Sequence, residues 1–479
     1  MKRIFIEETV KYVGEVVKLA GWVHNRRDHG KIIFIDLRDK TGIIQTVVIP
    51  DHVDVYEEAK KIRNEFVIEI EGLVKERPQS ARNEKSVTGG VEMEIEKLSI
   101  LNECKALPFE INKDTRDVSE ELRLKHRYLD LRTERMKNNV FQRGKITKFF
   151  RDHLEKEGFL EVETPVLGKS TAEGARDYIV PSRIYKGKFY ALPQSPQQYK
   201  QLLMTAGIER YFQVAKCFRD EDTRGDRQPE FTQLDLEMSF VEQEDVMNTI
   251  ETMLIKTVTE LYPEKKIQAI PFPRITYKDA MEKYGSDRPD SRTDKNDPNL
   301  LAFCWVVDFP FFEKDENSTT GWTFTHNPFS SPKPEHMQML MDKKDVAEIL
   351  TTQYDVVLNG YEVGGGSIRN HRPEALKKVL DIMGIPEERV QREYGHMLEA
   401  FEMGTPPHGG IALGFDRLVM LLQNEPNIRE VIPFAKNGEA EDMLMGAPSA
   451  VEERQLSEVG IRVPKLAVKT KKPAKKKII

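Results

Sequence analysis

The segment Cys217-Phe218-Arg219-Asp220-Glu221-Asp222-Thr223-Arg224-Gly225-Asp226-Arg227-Gln228-Pro229-Glu230-Phe231-Thr232-Gln233-Leu234-Asp235-Leu236-Glu237 crowds arginines and carboxylates between two apolar runs. Upstream, Tyr211-Phe212-Gln213-Val214-Ala215 has the composition of a buried strand. Downstream, Phe231, Leu234 and Leu236 sit among polar residues in the pattern of a second strand. Gly225 and Pro229 are turn formers, so the sequence predicts a hairpin with a charged loop. An arbitrary Arg/Asp run is more often a solvated tip laced with ion pairs. Arg219, Arg224 and Arg227 together nevertheless suit a triphosphate, and the neighbouring carboxylates suit a cation or an amine.

Working outward, Glu134 to Glu157 carries Ile146, Phe149, Phe150 and Leu154 at helical spacing, with Gly158 at the cap position. Phe159-Leu160-Glu161-Val162-Glu163-Thr164-Pro165 then reads as a strand stopped by proline. Ser170 to Tyr178 is a small, polar loop carrying Glu173. Ala191 to Gln201 presents amide and hydroxyl groups, Ser195 and Gln197 among them, and then one amine, Lys200. Further on, Gln353 to Arg369 forms two strand-like pieces around Asn359-Gly360. Its Asp355 and Glu362 are oxygen ligands suited to magnesium bridging phosphates. Gly364-Gly365-Gly366 lets backbone approach a ligand closely, but no Gly-Lys-Ser/Thr follows, so it is not a P-loop. Pro406 to Leu421 is a glycine-rich strand running into an apolar helix that carries Arg417.

Phe218-Arg219-Asp220-Glu221 with Arg227-Gln228-Pro229-Glu230-Phe231 resembles the second signature motif of class II aminoacyl-tRNA synthetases, in its aspartyl version. The helix ending before Thr164-Pro165 resembles the first motif, which in that family builds a dimer interface. The Gly414-Phe415-Asp416-Arg417 stretch resembles the third. The resemblance implies adenylate formation from ATP and L-aspartate, then transfer to the 3′ end of tRNA(Asp), with tRNA(Asn) as a second candidate acceptor. It assigns Arg219, Arg417 and Glu362 to catalysis. It assigns Glu173, Ser195, Gln197, Lys200, Arg219, Asp235, His326 and Arg369 to aspartate, with Lys200 and Arg369 selecting the side-chain carboxylate by charge. It assigns Arg219, Asp220, Glu221, Gln228, Glu362, Gly414, Phe415, Asp416 and Arg417 to ATP, and Asp355 and Glu362 to Mg2+. Many family members carry a second histidine where this chain has Asn327 after His326.

Residues 1–104 read as all-β: four strands at Val16–Val23, Ile32–Asp39, Gly42–Val48 and Phe66–Val74, and a fifth at Val91–Ile95. Val55–Ile62 is helical in character, and a helix between the third and fourth strands is the order of an OB-fold barrel. Gly21-Trp22-Val23 through Phe34-Ile35-Asp36-Leu37-Arg38-Asp39 is similar to the anticodon-binding domain of the aspartyl family. That likeness gives anticodon contacts to Arg27, Phe34 and Gln45, and a turn at Arg26–Gly30 in which His29 bears on tRNA(Asn). From spacing alone, Phe34 is equally well read as barrel core. The expected fold class is therefore α+β: an OB-fold barrel joined to a class II catalytic domain built on an antiparallel sheet flanked by helices. The expected boundaries are a hinge at 105–133 whose short basic helix either lies against tRNA or is a purely structural linker, a catalytic domain at 134–432 and an extension at 433–464. The family's usual bacterial insertion is absent, with a short loop near 286–299 in its place. A lysine-rich disordered tail is expected at 465–479.

Composition narrows the alternatives. A net charge of −6 over 479 residues leaves no global basic field, so any nucleic-acid surface must be local. Three scattered cysteines without CxxC spacing argue for a reducing compartment and against structural zinc. No signal peptide and no apolar run near the ~18 residues of a membrane span are present, so a cytoplasmic protein is expected. Rival readings are an asparaginyl-tRNA synthetase, which has less reason to keep Lys200 with Arg369, an asparagine synthetase lacking the barrel, and an inactive RNA-binding paralogue.

Overall fold

The computed structural model describes residues 1–170, 174–316 and 318–463. It divides into two compact units, Met1–Thr115 and the chain from Arg116 onward. In the first unit, β1 (Val16–His29), β2 (Ile32–Arg38), β3 (Ile43–Val48), β4 (Val67–Glu76) and β5 (Val91–Asn102) close a barrel in the order β1-β2-β3-β5-β4. Helix α1 (Val53–Ala59) lies between β3 and β4 in sequence. Alternation decides the faces: Ile33, Ile35 and Leu37 are buried while Phe34 and Asp36 between them are half-exposed. Phe34 is therefore an outer-face residue and not barrel core. β1 runs farther than its apolar stretch suggests, so Arg26, Arg27 and His29 are strand residues. The turn is only Gly30-Lys31, with Gly30 at φ +62°.

The second unit is built on eight strands. In spatial order they are Arg274–Thr276, Phe303–Val307, Gln353–Leu358, Tyr361–Ile368, His408–Gly414, Glu230–Ser239, Arg210–Phe218 and Leu160–Glu161. Pairing is antiparallel except at the two edges. Leu234, Leu236 and Met238 of the Glu230–Ser239 strand point to one side. They form one core with Ile146, Phe150 and Leu154 of the Glu134–Lys156 helix and Val246, Ile250 and Leu254 of the Gln243–Leu261 helix. The Thr133 hydroxyl caps the first of these helices by accepting from the Met136 N–H at 3.3 Å, and Gly158 follows its end at φ +81°. The strand expected from Phe159 to Pro165 shrinks to Leu160–Glu161. Beyond one more bond from Val162 N–H to Phe212 O, Pro165 has no N–H to continue the ladder.

The basic stretch before Glu134 folds as two short helices, Glu120–Lys125 and Arg127–Asp130. Arg123 and Arg127 face inward. Arg123 donates two bonds of 2.9 Å to Glu430, and Arg127 binds Asp130 at 2.8 Å and the carbonyls of Arg429, Ile432 and Pro433. Buried and engaged, these two arginines favour the structural-linker reading of the stretch over a surface against tRNA. Residues 286–299 contain no helix or strand and are pinned by Arg292 on Asp290 at 2.8 and 2.9 Å. No helix among the described residues is long and apolar enough to cross a membrane. The lysine-rich stretch from 465 lies outside the described residues.

Candidate active site

Register builds the floor of the site. Asp355, Gly365, Ala412, Asp235 and Gln213 stand opposite one another across five strands. Gln353, Ser367, Gly410, Glu237 and Tyr211 form the next row on the same face. Glycines in these rows make room for their neighbours' carboxylates. A Cβ on Gly410 would lie 2.1 Å from Glu237 Oε2, and one on Gly365 would lie 2.8 Å from Asp355 Oδ1 and 3.5 Å from Glu362 Oε1.

One end of this face opens into a cleft of about 190 Å³ whose lining includes Arg219, Glu221, Gln228, Glu362, Gly414 and Arg417. Arg219 lies over the Phe231 ring, 5.2 Å from its centroid, and its Nε donates to Gln194 O at 3.4 Å. Gln228 is buried, its Oε1 accepting from the Lys436 N–H at 2.9 Å while its Nε2 has no partner among the described residues. Glu221 pairs with Arg227 at 3.2 Å, and Arg417 with Asp226 at 3.0 Å. Sequence reasoning had not singled out Asp226 or Lys436.

Farther along the same strand face lies a buried four-charge cluster. Lys200 Nζ is 2.6 Å from Asp235 Oδ1 and 3.1 Å from Glu237 Oε2, while Arg369 donates to both Glu237 oxygens at 2.8 and 3.1 Å. Lys200 is thus already paired in the fold, by Asp235 and by Glu237, which the sequence reading passed over. Burial works to raise the Glu237 carboxyl, but Arg369 and Lys200 outweigh it and hold the group at about 2. Burial raises the Asp235 carboxyl despite Lys200, and its Oδ2 has no partner among the described residues. Of three ammonium N–H groups on Lys200 and five guanidinium N–H groups on Arg369, the cluster, Ser367 Oγ and Gly410 O leave one each among the described residues. Below it a relay runs from Gln197 Nε2 to Gln201 Oε1 at 2.9 Å, from Gln201 Nε2 to His408 Nε2 at 3.2 Å, and from His408 Nδ1 to Pro406 O at 2.8 Å. Burial holds His408 down at about 4, so it is neutral and this tautomer is fixed.

Asp355 and Glu362 flank Gly365, and enclosure together with the Asp355 charge raises the Glu362 carboxyl. Two carboxylates crowded on one glycine fit a hard cation. Among the described residues no three His, Cys, Asp or Glu side chains are grouped to hold a metal, so such an ion would take its remaining ligands from phosphates and water. His326 Nε2 lies 3.7 Å from Asp355 Oδ2. Burial alone would lower this imidazole, but Asp355 prevails and raises it.

Three expected residues, Phe415, Asp220 and Ser195, sit elsewhere, and a fourth, Asp416, is at the cleft but engaged in packing. Phe415 is in the core, its ring 6.0 Å from Phe150, because the first turn of the Phe415–Leu422 helix aims it away from the cleft. Asp416 borders the cleft, but its oxygens serve Arg143 at 2.5 Å and the Thr232 N–H at 2.7 Å, tying helix to strand. Asp220 lines a separate depression with Arg176, 3.7 Å away. Ser195 lines a cavity beside Gln198 and His396 and accepts from the Gln197 N–H at 3.3 Å. Glu173 lies outside the described residues.

On the barrel, register aligns Arg27 with Phe34 and Asp36 with Gln45 on the outer face. Arg27 pairs with Asp36 at 3.0 Å. The Gln45 amide is held at both ends, donating to Glu92 at 2.9 Å and accepting from Arg77 at 3.2 Å. Asp36, Arg77 and Glu92 are the neighbours that sequence reading missed, since only strand pairing brings them together. His29 is exposed at the end of β1.

Residues 17–101 match the OB-fold nucleic acid binding domain. An Aspartate--tRNA(Asp/Asn) ligase of Dehalococcoides mccartyi is 40% identical, covering 95% of this chain and 98% of that relative. That alignment spans 592 positions against a chain of 479 residues, so the relative carries segments absent here. An Aspartate--tRNA ligase of Staphylococcus saprophyticus is 39% identical over the same shares. Among solved structures, the asparaginyl-tRNA synthetase of Pyrococcus horikoshii complexed with asparaginyl-adenylate superposes with a TM-score of 0.73 at 26% identity, covering 91% of this chain and 98% of that one. Residues 119–438, which hold the arginine cleft and the buried charge cluster, match tRNA synthetases class II (D, K and N), and the chain belongs to that family.

Proposed function

We propose that the chain is an aspartate–tRNA ligase. It activates L-aspartate with ATP and passes the aspartyl group to the 3′ end of tRNA(Asp), with tRNA(Asn) as a second acceptor. The observation that carries this reading is the Lys200–Glu237–Arg369 bridge beside Asp235, on the same strand face as the arginine cleft. Two cations that each keep one donor suit a side-chain carboxylate, where asparagine's amide would bring no charge to them. Asp235, with an unpartnered oxygen, suits the substrate ammonium.

An aspartate α-carboxylate oxygen attacks the α-phosphorus of ATP and the bond to pyrophosphate breaks. Arg219 is the cation available to the charge that builds on the phosphoryl oxygens, and Arg417 to the outer phosphates. Glu221 and Gln228 line the cleft and are the polar groups suited to adenine. Mg2+ held by Asp355 and Glu362 would supply charge neutralisation to the phosphates. The terminal ribose hydroxyl of the tRNA then attacks the acyl carbon, and AMP leaves. Arg27, Phe34 and Gln45 on the barrel suit anticodon bases, and the name of the Dehalococcoides relative, with His29 at the rim of the patch, supports tRNA(Asn) as well. We place the protein in the cytoplasm as a homodimer formed through the Glu134–Lys156 region.

ATP–pyrophosphate exchange with each of the twenty amino acids tests the reading. Exchange with aspartate alone, abolished in Arg219→Ala, is expected; exchange driven by asparagine would overturn it. Aspartylation of purified tRNA(Asn) at a thousandth of the tRNA(Asp) efficiency would restrict the acceptor to tRNA(Asp).

A further inference from the structure

We propose that Asp226 is a latch on Arg417, which the outer phosphates of ATP must displace and which closes again as pyrophosphate departs. The inference rests on the nucleotide reading of the cleft. Arg417 NH2 donates to Asp226 Oδ2 at 3.0 Å, its NH1 donates to the Glu362 carbonyl, and its Nε has no partner among the described residues. The two residues come from different motifs, the charged loop and the helix that follows the glycine-rich strand, and both line the cleft. The ion pair therefore joins two walls of it.

Asp226 is presented by a loop that is fixed from behind. Gly225 O accepts from the Ile428 N–H at 2.9 Å, Arg224 O accepts from Arg429 at 3.4 Å, and the Thr223 hydroxyl donates to Gly438 O. The backbones of Arg224 and Arg227 bond each other across the tip. A carboxylate held this way competes with a phosphate for one guanidinium, since both use the same fork of N–H donors. The latched cleft holds about 190 Å³ beside both residues. A ligand with only an α-phosphate has nothing to place at Arg417 and leaves the latch closed.

The consequence is selective. ATP and pyrophosphate bind against Asp226, whereas AMP does not. Isothermal titration of the full chain with ATP, inorganic pyrophosphate and AMP tests this in Asp226→Asn, Asp226→Ser and Asp226→Glu. In the first two variants, ATP and pyrophosphate are expected to bind about fivefold more tightly, the size of one partly exposed ion pair removed from the competition. AMP and aspartate affinities stay at wild-type values, and Asp226→Glu returns ATP binding toward wild type. Unchanged or weaker ATP binding in both neutral variants overturns the latch, as does an equal tightening of AMP. Arg417→Ala separates the two levels. If it weakens ATP while the neutral variants fail to tighten it, the latch alone fails; if it binds ATP as wild type does, the phosphate role of Arg417 fails with it.

Discussion

Lys200 is buried with its charge already balanced, 2.6 Å from Asp235 and 3.1 Å from Glu237. Its value to a substrate carboxylate is therefore the one donor it keeps and its share of the field from two cations. Lys200→Met should cost aspartate about 2–5 kcal/mol of binding, because a buried charge pair loses one partner. Aspartate KM in pyrophosphate exchange reads this directly, and an unchanged value would sink the assignment. His408 offers a second test. Its imidazole titrates near 4 in the fold against 6.5 unfolded, so the unfolded chain binds the extra proton between those values. The stability it lends is full above pH 6.5 and drains as pH falls toward 4, on the order of 3 kcal/mol. Urea unfolding at stepped pH should show this slope, and His408→Gln should flatten it.

Among the elements, the glycine-rich strands separate packing from chemistry. A Cβ at Gly410 would meet Leu236 O and Glu237 Oε2, both at 2.1 Å. Because backbone cannot yield as a side chain can, Gly410→Ala should prevent soluble folding. At Gly365 the nearest atom is Asp355 Oδ1 at 2.8 Å, a side-chain end that can move. Gly365→Ala should keep a wild-type circular dichroism spectrum and lose pyrophosphate exchange; retained exchange would mean that the Asp355–Glu362 arrangement is dispensable. The two short helices at 120–130 depend on Glu430. Burial works to raise this carboxyl, yet Arg123 and Arg135 hold it at about 2. Its contribution is complete above pH 4.5 and lost as pH falls toward 2, on the order of 3 kcal/mol. Glu430→Gln should lower stability at pH 7 and remove that acid-dependent part, a window below that of His408.

At the scale of the whole molecule, the proposed function assigns the barrel and the catalytic unit to different steps. Amino-acid activation needs only ATP and aspartate, so changes on the barrel's outer face should leave it untouched. Gln45→Ala and Arg77→Ala should raise the tRNA KM about tenfold, a loss near the ~1–3 kcal/mol carried by one good base contact. Pyrophosphate exchange should stay at wild-type rates in both. A fall in exchange would show that the barrel patch serves the fold or the activation step instead.

Much of this was legible in the chain. Alternation at Ile33–Leu37 and Leu234–Leu236, helical spacing at Ile146–Leu154, and Gly158 as a stop are local patterns, so they fixed the barrel, the hairpin and the long helix. The arginines of the cleft were legible because charge crowded between two strands has few other uses. What sequence could not give is which charge meets which. Glu237 looked like one more polar residue of an alternating strand until the register set it opposite Gly410 and between Lys200 and Arg369. Arg123 and Arg127 could be read as a surface for tRNA until the 429–433 segment, some three hundred residues away, engaged them through the Glu430 carboxylate and the Arg429, Ile432 and Pro433 carbonyls. Phe415 shared a motif with Arg417 but fell on the core side of the helix. Periodicity is local and survives in one dimension; charge compensation acts through space, and only the folded chain decides its partners.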